Sequence, residues 1–250
     1  MTTLEDEFDL VATWTEEVVD ELGRDYAIAA ACRGSGSPAS LAWLAEALEV
    51  HLARRVLDAG SGVGGPAAWL ADRFGVTPVC AEPMPGAVRA SRRLFGLPAV
   101  VATGQALPFA DGSFDAAWCL GVLDTTPDPA GLLAEVRRVL SASGRLGLIA
   151  FVATGELPPP LPEGNTFLTE DALREQLTGT GFAVLQSVPA PSLRDAPVAW
   201  QARADRVEEV LAARHAGDPR WDGAQEQSAR IAELIRGGHL APSLLHAVAV

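Results

Sequence analysis

The sequence predicts an α/β fold in which a mostly parallel sheet of seven strands carries helices on both faces. Two observations predict it. From Val56 to Val188, strand-like apolar runs alternate with helical patterns across short connections, the signature of a parallel sheet covered on both sides. The first of those strands runs straight into Asp58-Ala-Gly-Ser-Gly-Val-Gly-Gly-Pro66, a glycine turn feeding a helix, as cofactor loops do. Composition agrees: 48% of the 250 residues are hydrophobic and 20% charged, which suits one large α/β core, or at most two small ones, and argues against disorder.

The elements follow in order. Phe8, Val11, Ala12, Trp14, Val18, Val19 and Leu22 recur at spacings of three and four with acids between them, so residues 4–22 form an amphipathic helix stopped at Gly23. After Tyr26 and an alanine-rich piece, Arg33-Gly-Ser-Gly-Ser-Pro38 is a flexible break. Leu41, Leu44, Leu48 and Leu52 then share one face of a helix over 39–51. Two helices joined by such a hinge are either a lid or packing for the sheet edge. The alternation that follows gives strand 54–59, helix 66–74, strand 77–81, helix 86–95, strands 99–103 and 114–120, helix 129–140 and strand 144–152. Leu157-Pro-Pro-Pro-Leu-Pro162 is a connector, because proline lacks the donor N–H and restricts the residue before it. Thr169 caps a helix over 170–178, and 182–188 returns as a strand. The segment 197–238 holds two helices parted near Gly217-Asp-Pro219, and the apolar 240–250 closes as a final strand. The expected organisation is a single domain, 1–250, with a helical cap over 1–53, a cofactor-binding core over 54–188, and a helical insertion and final strand over 189–250.

Charge narrows the function. The net charge is −13 and the sequence contains no Lys, so all 19 basic residues are Arg. Nucleic-acid binding depends on neutralising phosphates, so a polynucleotide partner is not expected and a small molecule is. The acidic N-terminus has no apolar leader, and no run approaches the roughly 20 residues of a membrane span. Cys32, Cys80 and Cys119 lack paired spacing and read as buried thiols in a reducing compartment. The expected location is cytoplasmic, with no membrane partner. No His or Cys spacing fits a metal site.

The glycine turn does not stand alone. After Val56-Leu-Asp-Ala-Gly-Ser-Gly-Val-Gly64 come Val79-Cys-Ala-Glu82-Pro-Met84, Gln105-Ala-Leu-Pro-Phe-Ala-Asp-Gly-Ser-Phe-Asp115, Trp118-Cys-Leu-Gly-Val-Leu-Asp-Thr-Thr-Pro-Asp128, and Arg137-Arg-Val-Leu-Ser-Ala-Ser-Gly144 running on to Ile149. In this order they resemble the class I S-adenosylmethionine-dependent methyltransferases over about residues 54–188. The resemblance implies a Rossmann-like sheet, S-adenosyl-L-methionine as cofactor, and methyl transfer to an O, N or C atom of a small-molecule acceptor, in keeping with specialised metabolism.

It also implies roles. Asp58, Gly60, Ser61, Gly62 and Gly64 form the cofactor loop, Asp58 lying near the methionine amino group or capping its own turn. Glu82 accepts from the ribose hydroxyls, which a carboxylate can do twice. Met84 packs on adenine or fills core. Thr103 stands where relatives carry an acid for the adenine amino group, so that contact falls to Thr103, Gln105 or the backbone of Gly104, with Ala106 and Cys119 completing the set. Thr125 stands where many relatives carry His.

Methyl transfer from a sulfonium needs chiefly alignment in a dry pocket. A hydroxyl or protonated amine must also lose a proton, and Asp124 is the candidate base, its alternative being a turn cap. His51, His215 and His239 read as structural or surface residues, while His246 could face a pocket. The acceptor pocket falls beyond the carboxyl ends of the strands, with Trp14, Tyr26, Trp43, Trp200 and His246 as candidates for substrate contact or for core packing. Two other readings stay open: an oxidoreductase using NAD, which shares a glycine loop and a following acid, and a methyltransferase-fold cyclase or non-catalytic binding protein.

Overall fold

The computed structural model describes residues 3–53, 55–190 and 196–250. Helices α1 (Thr3–Leu22), α2 (Ala27–Ala31) and α3 (Pro38–Ala47) precede strand β1 (Val56–Ala59). Next come α4 (Gly65–Phe74), β2 (Val79–Glu82), α5 (Pro85–Phe95), β3 (Ala99–Val101), β4 (Phe114–Leu120), α6 (Pro129–Val139) and β5 (Leu140–Ala153). The chain then forms α7 (Glu170–Gly179), β6 (Phe182–Pro189), α8 (Val198–His215), α9 (Pro219–Arg236) and β7 (Leu240–Ala249).

One sheet holds the strands in the order β3-β2-β1-β4-β5-β7-β6. Neighbours from β3 to β5 pair in parallel, while β7 runs antiparallel to both β5 and β6. The mostly parallel seven-stranded sheet expected from the alternation is therefore present. Its order reverses at β1, which has β2 on one side and β4 on the other, and such switch points open a crevice beyond the strands' carboxyl ends.

The strand alternation sorts the core into two layers. Leu57 and Ala59 of β1 join Cys119, Leu146 and Leu148 against Leu132, Leu133 and Val136 of α6 and Leu173 of α7. Val56, with Trp118 and Ile149, packs on the other face against Leu41, Leu44 and Ala45 of α3 and Leu70 of α4. The pattern places Asp58 on the α3 face.

The larger departures from the sequence reading lie at four places. The alanine-rich piece is helix α2, too short for a periodic pattern to announce. Helix α3 stops at Ala47, because Glu49 takes a left-handed conformation (φ 51°) before a short 3₁₀ turn. Strand β3 ends at Val101, so Thr103 lies in the following turn, its carbonyl accepting from Ala106 N–H. Strand β5 begins early, at Leu140 opposite Phe114; Ser141 to Gly144 then bulge before Arg145 pairs with Ala116. The expected first residue of β1, Arg54, lies outside the described residues.

Asp9 helps to dock the first helix. The N-cap of α5, Met84, offers no side-chain cap. Asp9 of α1 supplies it instead, its Oδ1 accepting from Ala87 N–H at 3.0 Å. A Cβ on Gly86 would stand 2.5 Å from that oxygen, so the glycine makes the approach possible. Capping residues contribute about 1 kcal/mol. Asp9→Ala is expected to lower the melting temperature by about 2–4 °C, read by thermal unfolding; an unchanged midpoint would show that the cap contributes nothing.

Candidate functional site

The site forms where β1 ends. Gly60, Gly62 and Gly64 all adopt positive φ (75°, 51° and 87°), and α4 starts at Gly65. A side chain at Gly60 would collide with Val122 in the loop after β4, and one at Gly65 with the backbone of Ala31 in α2. The turn is thus held tightly on both flanks. At Gly62, by contrast, a Cβ would meet nothing within 4 Å, so the middle of the turn is open.

Two buried carboxylates flank this turn. Glu82, at the tip of β2 and 3% exposed, accepts from Gly62 N–H at 2.8 Å through Oε2 and from Met84 N–H at 3.2 Å through Oε1. It therefore fixes the open middle of the turn to the end of the neighbouring strand. Asp58 is 1% exposed, and its Oδ2 is buried without a hydrogen bond, as is the Ser61 hydroxyl beside it. Burial pushes the Asp58 carboxyl up to about 7; the Trp118 indole N–H pulls it down in part, and Glu82 adds to the rise. Buried polar atoms seldom remain unpaired in proteins, because each costs about 1–3 kcal/mol. An acid and a hydroxyl left bare beside an open glycine turn are complementary to a ligand that donates hydrogen bonds and carries positive charge.

The next loops close the site's other wall. Gln105 donates from Nε2 to Thr126 Oγ1 at 2.8 Å and to the Asp128 carbonyl at 3.2 Å, tying the turn at 103–106 to the loop after β4. Gly104 is packed so closely on Leu132 of α6 that a side chain would collide there. Thr103 and Ala106 are exposed, and Met84 is half-buried. Arg138 of α6 anchors the stretch that follows: it donates to the carbonyls of Phe109 (2.9 Å) and Leu107 (3.0 Å) and pairs with Glu135 (2.7 Å). The sequence marks Arg138 only as part of a recurring helix; what it holds is visible only in three dimensions.

Asp124 is 4% exposed and does not cap its own turn. Its Oδ2 accepts from Phe151 N–H of β5 at 2.9 Å, and its carbonyl accepts from Thr166 N–H and from Asn165 Nδ2. It thereby prolongs the β4–β5 ladder beyond the end of β4 and fastens the connector. Burial pushes its carboxyl up to about 7, against the lowering effect of the Phe151 N–H.

A pocket of about 240 Å³ lies between α2, the Gly34–Gly36 hinge and α8, with Cys32, Arg33, Trp200 and Glu208 among its walls. A Cβ on Gly65, where the glycine turn enters α4, would stand 2.5 Å from the Cys32 backbone nitrogen, so the pocket abuts the end of the turn. Arg33 pairs with Glu208 at 2.7 Å, joining the hinge to α8.

Of the candidate substrate residues, only Trp200 lines this pocket. Trp14 is stacked on His215, ring centroids 3.7 Å apart, in the α1–α8–α9 interface, and Tyr26 packs on the same cluster. Trp43 packs on the α3 side of the sheet. His246 sits under the C-terminal end of α3, its Nε2 3.3 Å from Arg145 Nη1, with burial and that Arg lowering its pKa. These four candidates take part in helix or sheet packing. Cys119 also departs from the expectation: its side chain is fully buried on the α6 side, leaving only its backbone toward the strand tip.

Comparison with known proteins finds likenesses to methyltransferases and to their fold. Residues 57–148 match a family model described as a methyltransferase domain. A methyltransferase of Streptomyces halstedii, GfsG, is 38% identical over 121 residues, covering 46% of this chain and 44% of that protein. The chain thus matches about half the length of the curated relatives. Among solved structures, the [4+2]-cyclase SpnF superposes with a TM-score of 0.67 at 23% identity, covering 84% of this chain and 79% of that one. The geranyl diphosphate C-methyltransferase of Streptomyces coelicolor A3(2), solved with Mg2+, geranyl diphosphate and S-adenosyl-L-homocysteine, superposes at 0.59 with 18% identity, covering 84% and 77%. At these identities the structural likenesses speak for the fold.

Proposed function

We propose that this chain, whose residues 57–148 match a family model described as a methyltransferase domain, is a class I S-adenosylmethionine-dependent enzyme that transfers a methyl group to an O, N or C atom of a small-molecule acceptor in specialised metabolism. The observation that carries the reading is the glycine turn between two buried carboxylates, with Asp58 Oδ2 and Ser61 Oγ unpartnered. A pyrophosphate on that turn would meet the Asp58 charge at close range in a low dielectric, whereas a ligand bearing an ammonium and a sulfonium suits it. This electrostatic balance favours S-adenosylmethionine over NAD.

When bound, the cofactor supplies an electrophilic methyl group. Asp58 and Ser61 would take the amino-acid end, the turn Gly60–Gly64 the backbone contacts, and Glu82 the ribose hydroxyls, since each carboxylate oxygen can accept more than one hydrogen bond. Met84, half-buried at the start of α5, together with the 103–106 turn, would take the adenine. With its side-chain amide engaged by Thr126 and Asp128, Gln105 shapes that turn. The acceptor would enter the pocket beside Cys32 and Trp200, where α2 and α8 exclude water and hold it in line.

Asp124 is the base in this proposal: its loop packs at Gly121 against the Gly34 carbonyl at the pocket's edge, and its carboxyl at about 7 is matched to proton abstraction near neutral pH. Asp124→Asn retains an oxygen for Phe151 N–H and leaves the main-chain anchors in place. It is expected to lower kcat about 100-fold and to abolish a rise in rate through pH 7. Unchanged kcat would leave Asp124 only the role of a loop anchor. The function itself is tested by incorporation of radioactive methyl across a panel of hydroxyl, amine and carbon acceptors. Transfer to at least one is expected; failure on every one, with cofactor still bound, would favour a cyclase or a non-catalytic protein.

A further inference from the structure

We infer that Trp118 is a positioning residue whose indole N–H holds the Asp58 carboxylate in place at the glycine turn. The inference rests on the cofactor reading above and adds a residue to it. Asp58 and Trp118 are paired in register across β1 and β4, and paired residues of a parallel sheet project from the same face. Trp118 is fully buried, Asp58 is 1% exposed, and Asp58 Oδ2 and Trp118 Nε1 are both buried without a hydrogen bond. Around Trp118 the strand reads Ala116, Ala117 and Cys119, so one large polar-edged ring stands among small residues at the single position facing the acid.

An indole N–H only donates, so beside a carboxylate it can favour only the ionised form. The donor lies close enough to lower the Asp58 pKa, although its contact falls short of full hydrogen-bond geometry. Two unpaired buried atoms of opposite hydrogen-bonding character in neighbouring positions relieve one another when the ring turns slightly toward the acid. The other titratable groups that bear on Asp58 are Glu82 and Cys80 from β2, Cys32 just after α2 and, from the opposite face of the sheet, Cys119 of β4. Burial raises all three thiols and keeps them neutral near pH 7, so Glu82 supplies the opposing charge and Trp118 the compensating donor.

Two measurements test this. In Trp118→Phe, which keeps a buried ring without the donor, S-adenosylhomocysteine binding followed by calorimetry from pH 6 to 9 is expected to be about tenfold weaker at pH 7 and to recover toward pH 9. In the ligand-free wild type, the indole resonance assigned to Trp118 is expected to move with pH around 7, and in Asp58→Asn to stay fixed. The second measurement decides the matter where Trp118→Phe fails to fold. An identical affinity and pH profile in Trp118→Phe, or an indole resonance insensitive to pH in the wild type, overturns the inference. Failure of the wild type to bind S-adenosylhomocysteine at any pH overturns the cofactor reading instead, and the indole titration still reports whether Trp118 contacts Asp58.

Discussion

Asp58→Asn is expected to weaken S-adenosylhomocysteine binding about 100-fold while raising the melting temperature of the ligand-free protein at pH 8. The first effect follows from losing a buried charge opposite the ligand's amino group, where removing one partner of a desolvated pair typically costs about 2–5 kcal/mol. The second follows from the same carboxylate being costly when nothing is bound. Its pKa rises from an ordinary 3.8 to about 7, chiefly through burial. Between those values the folded chain holds a proton that the unfolded chain has released, so Asp58 makes stability fall as pH rises through that window. Above about 7 the full cost is present, at most about 4 kcal/mol. Asn removes it. The gap in melting temperature between variant and wild type should therefore grow from near zero at pH 4 to its maximum above pH 7, at about 2–4 °C per kcal/mol. Calorimetry for binding and pH-dependent thermal unfolding for stability check both. A variant less stable than wild type at pH 8 would mean that Asp58 is satisfied within the protein and has no need of a ligand.

Glu82→Gln is expected to have a comparable effect on binding, with the opposite sign on stability. The two carboxylate oxygens accept from Gly62 N–H and Met84 N–H, one each. A glutamine amide has one acceptor oxygen, so its NH₂ group must face one of those donors or turn away and leave it bare. One buried N–H left unpaired costs about 1–3 kcal/mol, and the middle of the turn loses its tether to β2. S-adenosylhomocysteine binding should fall by about 100-fold and the melting temperature by several degrees. Nearly intact binding would assign Glu82 to the loop alone and the ribose to other groups.

Much of this fold is legible in the sequence because its first strands are short apolar runs cut off by glycine or acid, as at Gly60 and Glu82. The strand order and the antiparallel β7 depend on long-range pairing, which local periodicity does not carry. The proposed cofactor turn is easier to read from the sequence than the pocket beside it, for a physical reason. A turn that must bend sharply beside a ligand restricts its residues to glycine and a few polar types, and those stand together in the chain. The cap instead brings Cys32 and Arg33 to Trp200 and Glu208, more than 160 residues away, by ordinary helix packing. Trp14 and Tyr26 looked equally suited to that pocket, yet His215 stacking and the α1–α8–α9 cluster take them up. Asp9 and Trp118 were invisible for a related reason, since an acid in an acidic helix and an aromatic in an apolar strand carry no mark of the partner they meet.

The proposed function requires that the turn at Gly60–Gly64, between Asp58 and Glu82, hold an adenosyl ligand that bears an ammonium group. Titration of the wild-type protein with S-adenosylhomocysteine and, separately, with NAD at pH 8 tests it most directly. Micromolar binding of S-adenosylhomocysteine with no heat from NAD is the expected result; saturable binding of NAD with none of S-adenosylhomocysteine would contradict it.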